Sequence, residues 1–359
     1  MADKATTAFQ SVAQGRRDTV RTTIKDIAAK TGLSVTTVSL VLNNKPSKIS
    51  QETRKLVLET ARELCYRPNQ LAVGLIKKRT KTLGLILSDI RNSFFSSLAK
   101  GIEDECRKNG WTVFLCNTSD KHERDLEYID VLASKGVDGI LYCMSMDSDV
   151  EKFQESQTLL SRLNLPYVML DRTCNLPGVF SVKVDHFSGG LLATRHLLEL
   201  GHREIACVTG PVHLEDCNAR LEGYKAALAE RGIAFDPTLI REGSYDMPSG
   251  ITAMEALLPR RPSAVFAFND MMAYGVYKAL KHHGLSVPRD ISVVGYDDIF
   301  ASEILEVPLT TIHQPVRRVG EAAARRLLSI IEGDQPAERE LLFLPELVVR
   351  KSTAPYTKP

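Results

Sequence analysis

From Leu83 onward the chain alternates short apolar runs with helical stretches, and that alternation most restricts what it can fold into. The runs are LGLILSD, TVFLCN, VDGILYC, YVMLD, VFSVKVD, EIACVTG, AVFAFND and ISVVGYDD. Strands alternating with helices predict an α/β body built on doubly wound parallel sheet. The pattern runs through 83–182 and again through 183–311, which predicts two similar lobes.

Many of these runs end in Asp or Asn, at Asp89, Asn117, Asp171, Asp185, Asn269 and Asp297. In open α/β sheets, ligands bind beyond the carboxyl ends of the strands. A rim of carboxylates and amides there suits a neutral polyhydroxylated ligand, because each group can pair with hydroxyls. Any one of them read alone is equally a helix N-cap or a turn residue, and both readings stand at this point.

The 359 residues carry a formal net charge of only +2, unevenly placed. Residues 1–82 hold sixteen Lys or Arg against six Asp or Glu, and the rest of the chain is correspondingly acidic. A basic head on an acidic body points to a polyanionic partner, with a solvated basic tail as the alternative. Three short helices are predicted between residues 23 and 67. Thr23 with Asp26 resembles a capping box opening IKDIAAKTG, which Gly32 stops. Ser34 caps SVTTVSLVLNN. Ser50 caps QETRKLVLETARELCYR, whose Leu56, Val57, Ala61 and Leu64 recur at helical spacing and which must end before Pro68. Two short helices split by a glycine turn and clamped by a third form a helix-turn-helix.

The second of these helices is oddly striped. At about 100° per residue Val38, Val41 and Leu42 fall on one side, and Val35, Thr36, Ser39, Leu40 and Asn43 on the other. A face that only needed solubility would carry Lys, Glu or Arg. In a helix-turn-helix this helix enters the DNA major groove, where hydroxyls reach base edges or phosphates and aliphatics meet thymine methyls.

Several classes are excluded. Seven cysteines without a CxxC pair signal neither a disulfide framework nor zinc. There is no apolar run of about 18 residues to span a membrane, and the first twenty residues lack the apolar core of a secretory signal. Residues 1–21 are expected to be a disordered lead-in and the protein to be cytoplasmic. No G-x-G-x-x-G follows the first strand, and there is no Walker loop, G-x-S-x-G or HExxH. An enzyme is not expected, nor catalytic residues, a metal or a cofactor.

The head resembles the DNA-binding head and hinge of the lactose-repressor (LacI/GalR) family. The matching landmarks are T-x-K-D-I-A, G-x-S-x-x-T-V-S, V-L-N, I-S-x-E-T-R, and Y-x-P-N followed by A-x-x-L. The resemblance implies base-reading positions at Val35, Thr36 and Leu40, with Thr23, Ser34, Thr37, Ser39 and Asn43 as further DNA contacts. It implies a hinge over 68–82 that is helical on specific DNA, with Leu75 as a minor-groove wedge and Ala72 on the same face. Arg, Gln and His are absent from the three base-reading positions, so methyl contacts and DNA shape gain weight. The body resembles the same family's regulatory core in LDR, GHREIACVTGP, ARLEGYKAAL, FAFND, ISVVGYDD and PLTTIHQP. That implies Arg220 and Asp297 as main polar ligand contacts, with Asn269 and Asp171 supporting from opposite lobes and Asp89 on the rim. Phe94, Phe95 and Tyr245 stand where rings can stack on a ligand, or simply pack the core.

The implied layout is a lead-in at 1–21, a helix-turn-helix domain at 22–67, a hinge and linker at 68–82, an effector-binding core at 83–350 and a tail at 351–359. Lobe 1 takes 83–182 and 312–337; lobe 2 takes 183–311 and 338–350. PLTTIHQP is expected to be a crossover, which accounts for His313. The expected function is a homodimeric repressor of a palindromic double-stranded DNA operator, governed by a small-molecule effector. A sugar or sugar derivative leads, with a purine or nucleoside as the alternative and a protein co-regulator as a further class of partner. A sugar receptor or transport protein would suit the body alone, but the basic head argues against it.

Overall fold

The computed structural model describes residues 22–43, 48–66, 79–173, 178–334 and 336–357. The chain divides between Thr80 and Lys81 into two units. The expected lead-in, most of the hinge, and Ala72 and Leu75 with it lie outside the described residues.

The head contains α1 (Ile24–Thr31), α2 (Val35–Leu42) and α3 (Gln51–Glu63). The Asp26 carboxylate accepts from the backbone N–H and the hydroxyl of Thr23 at 2.7 and 2.8 Å, which fixes the start of α1. Gly32, at φ 67°, ends it in the left-handed conformation that glycine tolerates best. Ser34 and Ser50 cap the next two helices by accepting from Thr37 N and Thr53 N. Ile27, Ala28, Val38, Val41, Val57 and Ala61 form the core. Leu56, expected on the inner face of α3, is instead exposed. The inward stripe runs through Val57, Thr60, Ala61 and Leu64, the i, i+3, i+4, i+7 positions, and Leu56 falls on its flank.

The body holds two six-stranded sheets of the same design. Lobe 1 uses β1 (Thr82–Leu87), β2 (Thr112–Asn117), β3 (Gly139–Tyr142), β4 (Tyr167–Leu170), β5 (Ser181–Val184) and β11 (Glu340–Phe343), in the order β11-β5-β4-β3-β1-β2. Lobe 2 uses β6 (Ile205–Thr209), β7 (Ile240–Glu242), β8 (Ala264–Ala267), β9 (Ser292–Asp297), β10 (Thr310–His313) and β12 (Glu346–Val348), in the order β12-β10-β9-β8-β6-β7. The pairings are parallel except that of β12 with β10. Central strands such as β1 and β8 are buried along their length, because helices cover both faces. In lobe 1 these include α4 (Ser93–Lys108), α5 (His122–Ser134), α6 (Val150–Arg162) and α12 (Val316–Glu332). In lobe 2 they include α7 (His186–Glu199), α8 (Glu215–Glu230), α9 (Met247–Leu257) and α10 (Asp270–His282), with the short α11 (Ala301–Ile304).

The end of the chain departs from the expected layout. Residues after 338 do not all finish lobe 2: Glu340–Phe343 pairs in register with Ser181–Val184 in the lobe 1 sheet, and only β12 returns to lobe 2. PLTTIHQP is first a strand, β10, and a crossover only after His313. The chain therefore passes between lobes three times, after β5, β10 and β11.

Candidate functional site

The carboxyl ends of both sheets face one cleft, lined from lobe 1 by Asn92, Phe94, Phe95, Asp171 and Arg172 and from lobe 2 by Asp216, Arg220, Tyr245, Asn269 and Asp297, with Gln314 beside them. Local structure explains these positions. Asp171 and Arg172 follow β4, Asp297 ends β9, and Asn269 caps α10 by accepting from Met272 N at 2.8 Å. Arg220 projects from α8, which packs closely on α7 because residue 190 is glycine; a Cβ there would strike the Arg220 carbonyl. The cavity between the lobes measures only about 30 Å³, room for a water or two. A sugar-sized ligand needs several hundred, so ligand entry requires the lobes to part.

Two buried guanidiniums dominate the electrostatics. Arg220 donates to the Phe268 carbonyl at 2.5 Å and to His186 Nδ1 at 3.2–3.3 Å, and its guanidinium carbon lies 3.9 Å from the centroid of the Tyr296 ring. Arg172 donates to Ser88 Oγ at 2.9 Å and pairs with Asp120. It also lies 5.6 Å from the Phe95 ring centroid in its own lobe and 5.5 Å from Tyr245 in the other, a cation–π contact across the cleft. His213 Nε2 lies 3.0 Å from the Met146 carbonyl and makes a second link between lobes.

The acids respond to this setting in different ways. Burial pushes the Asp171 carboxyl up to about 6, helped by nearby Asp216. Burial also pushes Asp297 well above the ordinary carboxylate range, against the pull of Arg220. For Asp216, burial works the same way, but Arg220 and its neighbours win and hold the carboxyl below its usual value. Burial, then Arg220, lowers His186 to about 3, so its ring is neutral at physiological pH. With Nδ1 accepting from Arg220, the ring proton sits on Nε2. Among the described residues, His186 Nε2, Asp216 Oδ1 and Gln314 Oε1 are buried without a hydrogen-bond partner. Unpaired polar atoms of this kind cost about 1–3 kcal/mol each, which a ligand's hydroxyls would relieve.

Seven of the eight expected ligand residues come together here: Phe94, Phe95, Asp171, Arg220, Tyr245, Asn269 and Asp297. Asp89 does not. Its carboxylate is taken by Arg91 at 2.6 Å, and it is absent from the cleft wall. Asn269 combines both readings, since its amide caps α10 and also donates to the Tyr245 carbonyl at 2.9 Å. Phe94 and Phe95 pack edge to face in the lobe 1 core and still reach the cleft. Sequence reasoning missed Arg172, Asp216, His186 and Gln314. Asp216 stands four residues before Arg220 on one helix face, a spacing that could have found it. His186 and Gln314 carry no comparable signal. His313 pairs with Asp298 at 2.9 Å, off the cleft wall.

In the head, α2 carries no charged residue. Val35, Thr36 and Asn43 are exposed, Ser39 and Leu40 half-buried, and Val38 and Val41 face the core. Ser34 and Thr37 bond each other at 2.8 Å, and Asn43 donates to the Ser39 carbonyl at 2.8 Å. Thr23 is engaged with Asp26. Those side chains hold the helix, and among the described residues Val35, Thr36 and Leu40 have no such local duty.

A helix-turn-helix head and a two-lobed body with a polar cleft define a ligand-binding DNA-binding regulator. Residues 23–69 match the model of the bacterial regulatory proteins of the lacI family, and residues 80–344 match that of the periplasmic binding proteins and sugar binding domain of the LacI family. The chain is 38% identical over 335 residues to the HTH-type transcriptional repressor PurR of Aliivibrio fischeri (strain MJ11), covering 92% of this chain and 98% of that one. Among solved structures it resembles the lac repressor dimer bound to operator and the anti-inducer ONPF, with 31% identity, a TM-score of 0.84, and coverage of 93% of this chain and 99% of that one. It also resembles a LacI family transcriptional regulator from Enterococcus faecium with bound ribose, with 35% identity, a TM-score of 0.69, and coverage of 77% and 100%. The protein belongs to the LacI family of DNA-binding transcriptional repressors, whose members here are regulators and not enzymes. Among the described residues no helix is long and apolar enough to cross a membrane.

Proposed function

We propose that the protein is a homodimeric repressor of a palindromic operator whose DNA affinity is set by a small polyhydroxylated effector, a sugar or sugar derivative, held between the two lobes. The observation that carries this reading is the cleft chemistry. Carboxylates, amides and two guanidiniums converge from both lobes, and among the described residues buried Asp216 Oδ1 and Gln314 Oε1 of the cleft wall, with His186 Nε2 behind Arg220, lack hydrogen-bond partners. A hydroxyl both donates and accepts, so a polyol can satisfy acceptors and donor alike. The ribose complex of a relative supports the same class. A purine is the second reading, favoured by relatives that bear the name PurR and by the Phe95 and Tyr245 rings. In the head, Val35, Thr36 and Leu40 would read base edges by apolar and hydroxyl contact.

The dimer reading rests on apolar surface. Phe300 and Ile304 on lobe 2 are 75% and 67% exposed, and Phe114 and Leu115 are exposed on β2, an edge strand of lobe 1. A second copy covering these patches would remove them from water. The test has two arms. A thermal-shift screen against sugars, sugar phosphates and nucleosides should give its largest shift with a sugar, because a ligand that binds the folded state raises the melting temperature. A nucleoside giving the largest shift would select the second reading. Sedimentation equilibrium should give a dimer that Ile304→Glu weakens; a wild-type monomer at micromolar concentration would overturn the dimer.

A further inference from the structure

The carboxyl ends of α9 and α10 meet on the surface of lobe 2, away from the cleft. Asn269, which caps α10, lines the cleft, and the helix then runs 13 residues to His282, a rise of about 20 Å. The two helices pack closely because each meets the other at a glycine. A Cβ on Gly250 would strike the Met272 carbonyl, and one on Gly275 the Met247 carbonyl. That packing sets Glu255, near the end of α9, beside His282, the last residue of α10, and His283, its cap. One ligand atom from each of these three side chains lies within 4.8 Å of the other two.

Consecutive helical residues ordinarily point about 100° apart. His283 escapes that rule at the cap, just before Gly284 turns left-handed at φ 71°, and its ring centroid stands 5.2 Å from that of His282. All three side chains are exposed, and among the described residues no hydrogen bond or ion pair holds any of them. Two imidazoles and one carboxylate form a donor set for a borderline transition ion, whereas Mg²⁺ and Ca²⁺ prefer oxygen throughout. Ligand atoms around a tetrahedral zinc ion stand about 3.4 Å apart, so the three close on the ion by turning exposed side chains and leave the fourth position to water. The negative ends of two helix dipoles converge there, which favours a cation. No zinc spacing marks the site in the sequence, because its ligands come from two separate helices.

We propose that Glu255, His282 and His283 bind a divalent transition ion of the zinc class, which staples α9 to α10 at the end of lobe 2 remote from the effector. The inference is independent of what the cleft holds.

The test is calorimetry on the full chain, stripped of metal and titrated with zinc chloride and with magnesium chloride, with thermal melts alongside. One Zn²⁺ per chain should bind, at least tenfold more tightly than Mg²⁺, and should raise the melting temperature. The double variant His282→Ala, His283→Ala should lose at least tenfold in zinc affinity and show no zinc-dependent rise in melting temperature. Its metal-free melting temperature should match wild type, because both rings are exposed; Glu255→Gln, with a smaller loss expected, serves if the double variant does not fold. Absence of zinc binding in wild type would overturn the inference. So would Mg²⁺ binding as tight as Zn²⁺, or a zinc titration unchanged in the variants.

Discussion

The head and the body put their working residues on opposite sides of their cores. The head buries six small apolar side chains and leaves Val35 and Thr36 outside on a short helix without a charge. The body buries Arg172, Asp216, Arg220 and Asp297 among two sheets and leaves its apolar excess, Phe300 and Ile304, on the surface. A polymer as large as DNA must be met on an exposed face, and its charge is balanced by basic residues spread over that unit. A small ligand is held by being enclosed, where a few polar groups acquire strength from the low dielectric around them. Each region breaks the usual inside–outside rule in the place where it works.

The sharpest way to separate the two is salt. If six to ten phosphates are neutralised per dimer, operator affinity should fall about 10³–10⁵-fold between 50 and 200 mM salt. Effector affinity, set by buried groups, should change little over the same range. Filter-binding and calorimetric titrations measure the two, and equal salt slopes would erase the distinction.

Next in size is Arg220→Ala. It removes the guanidinium that bonds Phe268 O and His186 and stacks on Tyr296, leaving the buried Asp216 carboxylate without its main counter-charge. Effector affinity should fall by about 2–5 kcal/mol, and the body's melting temperature should drop as well. The head shares none of these contacts, so non-specific DNA binding should hold. Loss of DNA binding in proportion to effector binding would mean that the two regions are not separable.

Acid titration gives a smaller contrast. Asp270 is wholly buried, accepting from Ile299 N at 3.0 Å and from the hydroxyls of Ser302 and Thr311 at 2.6 Å, and burial pushes its carboxyl up to about 6. In the unfolded chain that group titrates near 3.9. The folded body therefore keeps a proton that the unfolded chain releases between about pH 4 and 6. The stability this contributes is fully present below about 4 and is lost as pH rises through 6, on the order of 3 kcal/mol. Denaturant melts of Asp270→Asn should have a flatter pH profile in that window than wild type. The head, whose buried residues include no ionisable side chain among those described, should melt without this dependence. An unchanged slope in the variant would assign the proton to another group.

The comparison also explains what the sequence disclosed. Eight of the twelve strands were plain as apolar runs, most of them because burial on both faces demands such runs, and β2 although it lies half-exposed at the sheet edge. The other four, β7, β10, β11 and β12, are short, near the sheet edges or partly exposed, and their pattern is correspondingly faint. That is why the sequence pattern does not reveal that Glu340–Phe343 joins lobe 1 while Glu346–Val348 alone stays with lobe 2. In the head, an uncharged outer face was an anomaly that a reader of sequence could see. In the cleft, Asp171, Asn269 and Asp297 were visible as strand-end polar residues. Asp89, identical in pattern, turned out to serve Arg91. His186 and Gln314 reach the site only because the chain crosses between lobes just before or beside them, a fact of topology that no local pattern carries.

The most direct test of the account is operator affinity, measured by fluorescence anisotropy on full-length protein with a palindromic site selected from random DNA. It should be measured with and without the tightest-binding saccharide at saturation, in wild type and in Arg220→Ala. The account predicts at least a tenfold change in wild type, and in the variant an unchanged starting affinity with no response. A wild-type affinity indifferent to a saturated cleft, or a variant that responds as wild type does, would contradict it.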